Sequence, residues 1–314
     1  MALERCGESP HVRPGEQELR GRIGASIRQF EVSNYRLPGI SDPNRRDTFV
    51  SHLIASVRPR QYVERIRERP ITPLRADPHS ALFDPLKAAI LLLRQGNLEE
   101  ACWLAFLSIH FGRHKVTRWR YCAAVYGGKP EGAVWDWPSV AAETVDFTQW
   151  LARSAESIRM AGGGFGNHRK YESLASTGTV VSSYVSWIGP AKSQQARFRG
   201  LMAPAKDNEP LAFDLLYTSM HEIVRFGRTA RFDFLTLLSR LRLLSITPGN
   251  AYLQSATGPL HGARLLFGDV RESARMLDDR LIGLDQHLQL GFDVLEDALC
   301  NWQKNPTEFI PFRG

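Results

Sequence analysis

The chain has 314 residues, 43% of them hydrophobic, a formal charge of +7 and a pI near 9.4. That is enough apolar content for one large domain or two packed lobes, while an apolar run such as Ala88 to Leu93 is far too short for a membrane span. The positive charge, carried by arginine far more than lysine, argues against an acidic partner surface and permits phosphate binding, because the planar guanidinium offers two directed hydrogen bonds. Cys6, Cys102, Cys122 and Cys300 are scattered without a C-x-x-C pair, which speaks against a zinc knuckle or iron–sulfur loop and predicts reduced thiols. The polar N-terminal stretch holds no apolar signal segment, so a cytoplasmic chain is expected. No cofactor, metal or protein partner is indicated.

Residues 1–45, rich in Gly, Pro, Ser and Arg, read as a partly disordered arm with one short helix at Gln17–Phe30. Residues 46–314 read as a helical domain. Phe49, Leu53, Ile54, Val57, Val63 and Ile66 form a helical stripe that Pro70 and Pro73 end. Asp84-Pro85 is an N-cap with a first-turn proline for Leu86–Arg94, and Leu98–Phe111 follows, closed by Gly112. Helices are then predicted at Val116–Tyr126, Pro138–Met160, His168–Ser176, Gly178–Trp187, Ala191–Leu201, Pro210–Arg225 and Arg231–Leu244. The last ones fall at Ala251–Ser255, Leu260–Phe267 and Glu272–Trp302, this last broken near Gly291. Two-residue alternation is scarce, so the fold class is all-α. The seven tryptophans are expected mostly in the core. His110 and His114 lack a carboxylate partner, so no metal site is read there.

The segment from 251 to 268 carries the chemistry. Thr257-Gly258-Pro259 is a tight turn opening a helix, an arrangement suited to holding an anion. Asp278 follows Gly258 by twenty residues, the distance for a helix to run out and return a carboxylate. This constellation resembles the helix-hairpin-helix DNA glycosylase superfamily. The resemblance implies two interleaved helical lobes, with Asp278 as the catalytic carboxylate and Asp279 as its nearest rival. It implies DNA binding by Gly258, Leu260, His261, Gly262 and Arg264. Ala256 or Thr257 stands where the superfamily has its first hairpin glycine. Leu260 stands where bifunctional members have a Schiff-base lysine, which implies a monofunctional enzyme that uses water.

A longer set of motifs runs through the middle of the chain: Ser108–His114 (SIHFGRH), Trp119-Arg120, Gly166–Glu172 (GNHRKYE), Ser183–Trp187 (SYVSW) and Met220–Arg228 with Arg231-Phe232-Asp233. Together they resemble the α-glutamyl/putrescinyl thymine pyrophosphorylase family, clade 3, relatives of these glycosylases that deal with hypermodified pyrimidines in phage DNA. Bacterial members resemble a defence glycosylase that removes glucosylated 5-hydroxymethylcytosine. On that resemblance the partner is DNA carrying modified bases, and Asn167, His168, Glu222, Arg228 and Asp233 recognise the base or its sugar. Two alternatives stand beside base excision: a transferase that displaces pyrophosphate from an activated thymine methyl group, and a non-catalytic binder of modified DNA.

Overall fold

A computed structural model describes residues 11–311. Among them the chain forms fourteen α-helices and no strand. In chain order these are α1 (Gln17–Ser33), α2 (Pro43–Glu68), α3 (Pro85–Arg94), α4 (Leu98–Phe111), α5 (Arg120–Tyr126), α6 (Trp137–Ala142), α7 (Thr144–Met160), α8 (Leu174–Ile188), α9 (Gln194–Met202), α10 (Glu209–Ser219), α11 (Arg228–Arg240), α12 (Gly258–Phe267), α13 (Ala274–Leu288) and α14 (Phe292–Trp302). The all-α class read from the sequence holds. The chain divides into two units, residues 11–62 with 248–311 and residues 63–247, so the second is inserted in the sequence of the first.

The first unit gathers α1, most of α2 and α12 to α14 around one core. Ile23, Ile27 and Phe30 of α1 join Phe49 and Leu53 of α2 and Leu277, Leu281, Leu299 and Trp302 of the last helices. The α1 helix is therefore a core element. The first ten residues of the predicted arm lie outside the described residues. Cys6 is among them; Cys102, Cys122 and Cys300 are free thiols. The Asp285 carboxylate accepts from the Leu290 and Gly291 amides, Gln289 turns to φ 53°, and the predicted break near Gly291 separates α13 from α14. The α12 helix lies close against its neighbours at glycines. A Cβ on Gly262 would sit 2.5 Å from the Leu299 carbonyl oxygen of α14, and one on Gly39 would sit 2.1 Å from the Leu265 oxygen of α12.

The second unit is built on an aromatic stack. Phe106 of α4 lies on Tyr184 of α8 with ring centroids 3.9 Å apart, and Trp103, Phe226 and Phe234 pack around the pair. Six of the seven tryptophans are buried, as expected from their bulk. Asp84 caps α3 through the Leu86 and Lys87 amides, and Asn97 caps α4. Glu100 is buried and accepts from Tyr126 Oη at 2.8 Å and the Trp137 amide at 2.7 Å. Burial pushes its carboxyl up to about 7, above the ordinary 4.5, with Asp136 adding to the rise. The folded value exceeds the unfolded one. The stability Glu100 supplies is therefore complete below pH 4.5 and is lost as pH rises through about 7. Glu100→Gln is expected to flatten that part of the stability profile, which thermal melts across the range would show.

Several predicted boundaries move, for local reasons. Residues 114–118 form a tight bridged turn, not the first turn of a helix, because Arg118 takes φ 56° and the His114 Nδ1 accepts from the Thr117 amide. The predicted helix Pro138–Met160 is two helices that meet at Glu143 (φ −112°, ψ 39°). Gly178 does not break α8. It lies inside the helix where α8 crosses Thr148 of α7. Ser173 caps α8, so the stretch from His168 holds only a single 3-10 turn, Asn167–Arg169. The predicted helix Pro210–Arg225 ends at Ser219, followed by a 3-10 turn and by Arg225 at φ 57°. The first hairpin element is likewise a single 3-10 turn, Leu253–Ser255.

Candidate functional site

In the first unit one side chain fixes the approach to α12. Asp278, early in α13, accepts from the Ala251 amide through Oδ1 and from the Leu253 amide through Oδ2, each at 3.1 Å. Two donors on two oxygens hold the half-buried carboxylate in one orientation. Between those amides Tyr252 sits in the left-handed region at φ 50°, ψ 47°. A side chain with a Cβ adopts that conformation at a cost, and Asp278 secures the backbone on both sides of it. Asp279 is exposed. Successive positions on an α-helix point about 100° apart. Of the two acids, Asp278 is the one bonded to the chain that leads into α12.

The hairpin residues divide by environment. Gly258 and Gly262 face α14: an added Cβ would meet Cys300 Sγ at 2.9 Å or the Leu299 oxygen at 2.5 Å. Helix packing therefore demands these glycines. Leu260 is partly buried against the core and His261 is exposed. Arg264 is half-buried, with Nη2 donating to the Glu272 carbonyl at 3.3 Å and a buried Nε that has no partner. Thr257 supplies no side-chain cap to α12.

The second unit gathers another set. Arg228 and Asp233 both belong to α11, with no turn between them at Thr229-Ala230. Asp233 is half-buried as a residue, but its carboxyl end is enclosed. Burial raises its pKa, while Arg169, His168, Arg228 and Arg240 pull it the other way. Asp233 is thus a carboxyl group ringed by three arginines and a histidine. Asn167 and His168 stand exposed on the 3-10 turn before Arg169. Glu222 is exposed on its own 3-10 turn, beside His221, whose Nδ1 lies 2.8 Å from the Thr218 oxygen.

Arg169 reads in the sequence as one more cation of the turn that holds Asn167, His168 and Lys170, and its burial is not legible there. It is buried, its Nε donates to the Ile109 carbonyl at 2.9 Å, its guanidinium lies 5.6 Å from the Phe226 ring centre, and its Nη2 has no partner. Nearby His110 is buried, with Nε2 2.9 Å from Thr177 Oγ1, and burial lowers its pKa to about 3. The signal for this cluster lay in Gly112 and Gly166, whose backbones approach so closely that a Cβ on Gly166 would lie 2.8 Å from the Gly112 carbonyl carbon. Among the described residues no group of three or more side chains is placed to hold a metal ion, and no helix is long and apolar enough to cross a membrane.

By architecture the molecule is an all-helical protein with an oriented carboxylate in one unit and a basic, carboxyl-centred cluster in the other. Its relationship follows from the sequence as a whole: a model of the alpha-glutamyl/putrescinyl thymine pyrophosphorylase clade 3 family matches residues 44–314, and the chain belongs to that family. No curated protein and no solved structure matches it. Membership points to an enzyme role in processing modified bases in DNA.

Proposed function

We propose that the protein is a monofunctional DNA glycosylase that excises a bulky modified pyrimidine from phage DNA, α-glucosyl-5-hydroxymethylcytosine being the substrate the reading favours, and leaves an abasic site as a defence. The observation that carries the reading is the Asp278 carboxylate, held by the Ala251 and Leu253 amides at the entrance to α12. Breaking the bond between C1′ and the base nitrogen develops positive charge on the deoxyribose. A fixed carboxylate stabilises that charge and orients the water whose oxygen joins C1′, while the water's proton leaves with the base. The base must first leave the helix stack, at a cost of a few kcal/mol. Under this reading Asn167, His168, Glu222, Arg228 and Asp233 recognise the modification, and His261 and Arg264 contact the backbone.

A second reading rests on the family's own description as a pyrophosphorylase. There the glycosidic bond survives, pyrophosphate leaves an activated methyl group, and an amine takes its place. Matched duplexes carrying cytosine, 5-hydroxymethylcytosine or its α-glucoside, treated with alkali after incubation, test the first. Strand breaks confined to the glucosylated duplex support excision, and intact strands in all three defeat it for these substrates.

A further inference from the structure

Two segments of the second unit, residues 111–120 and 161–171, are fastened along their length. The Gly166 amide donates to the Phe111 carbonyl at 2.8 Å, Arg120 Nη1 donates to the Ala161 carbonyl at 3.3 Å, and Gly164 lies against the His114 ring. Arg169 completes the join from below through Ile109. Across both segments the sequence contains no acid. Arg113, Lys115, Arg118, Arg120 and Lys170 are all exposed and give the two segments a positive field. Arg118 is held at φ 56° at the corner of the bridged turn.

One side chain on this face does not fit a merely solvated charge patch. Tyr171 is 80% exposed, with the Lys170 ammonium 5.1 Å from its ring centre. Arg225 donates to the Tyr171 carbonyl at 3.1 Å and to Glu172 at 3.0 Å, so the backbone beneath the ring is anchored while the ring itself stands in solvent. An anchored aromatic ring with a cation beside it matches the two demands of an unpaired nucleic-acid strand, a π-face for a base and positive charge for the flanking phosphates.

We propose that this face of the second unit binds an unpaired DNA strand, with Tyr171 stacking on a base and Arg113, Lys115, Arg118 and Lys170 on the adjacent phosphates. The inference rests on the reading that the substrate is DNA, and it assigns residues outside the excision machinery. A stable duplex offers phosphates but no free base face, so the ring selects the single strand.

The test uses the full-length protein and a fluorescein-labelled, unmodified oligothymidylate, read by anisotropy over a range of salt. Tyr171→Ala is expected to weaken binding by at least about fivefold with an unchanged melting temperature. The double variant Lys115→Glu with Arg118→Glu is expected to flatten the salt dependence, by about 0.7 in the log–log slope for each phosphate that is no longer neutralised. Wild-type affinity in both variants, or a wild-type preference for duplex of the same length, overturns the proposal. Binding of an unmodified strand needs no base release. If excision fails, this surface still stands or falls on its own result, and a wild-type protein that releases the base yet does not bind the unpaired strand overturns this surface alone.

Discussion

Asp278→Asn is expected to abolish base release, by a factor of roughly 10²–10³ or more, and to lower stability at the same time. The first effect follows from the charge: a neutral amide does not stabilise a cationic sugar. The second follows from the hydrogen bonds. The Ala251 and Leu253 amides each need an acceptor, and asparagine offers one acceptor and one donor. A backbone N–H left unmatched in this half-buried position costs about 1–3 kcal/mol. Asp279→Asn, on an exposed side chain, is expected to leave both properties near wild type. Base release and thermal melts on the two variants decide between roles. An Asp278→Asn protein that is less stable yet fully active would reduce Asp278 to a brace for the turn around Tyr252.

Gly39→Ala is expected to destabilise the first unit by about 3 kcal/mol or more, near the upper end of what overpacking costs. Its added methyl would lie 2.1 Å from the Leu265 oxygen, 2.7 Å from that carbonyl carbon and 2.8 Å from the Leu266 Cα. All three atoms are backbone, so no side chain can turn aside and α12 itself must shift. The helix is also held at Gly262, which already lies against the Leu299 carbonyl of α14. Gly21→Ala is the control. Gly21 lies inside α1 with nothing within 4 Å of an added Cβ, and an alanine there is expected to stabilise by about 0.5–1 kcal/mol. Chemical denaturation measures both. Equal stability of Gly39→Ala and wild type would mean that α12 is not clamped as described.

The helical architecture was legible because its signals are local. Asp84-Pro85 and Gly112 mark ends that a single turn of chain decides, and both ends fall where those residues predicted. The boundaries that moved were set by contacts distant in sequence. Gly178 reads as a helix breaker until α7 is seen crossing at Thr148, and no pattern within residues 168–188 carries that information. The glycines of 251–268 are the subtler case. Glycine next to proline reads equally well as an anion-binding turn or as close helix packing, and Gly258 and Gly262 do meet α14. Spacing drew attention to Asp278, but the amides it accepts from were not legible, since backbone amides leave no mark on a sequence. The enclosed setting of Arg169 was hidden for the same reason. Among many arginines, only its burial and its bond to the Ile109 carbonyl set it apart.

Mass spectrometry of both reaction fractions shows whether the base departs as a free molecule. The duplex would carry one α-glucosyl-5-hydroxymethylcytosine at a known position and be incubated with the full-length protein. Free α-glucosyl-5-hydroxymethylcytosine is expected in the small-molecule fraction, with a strand lighter by one base and neither product formed by Asp278→Asn. A strand that keeps its base, whether unchanged or with its modification exchanged, would contradict base excision.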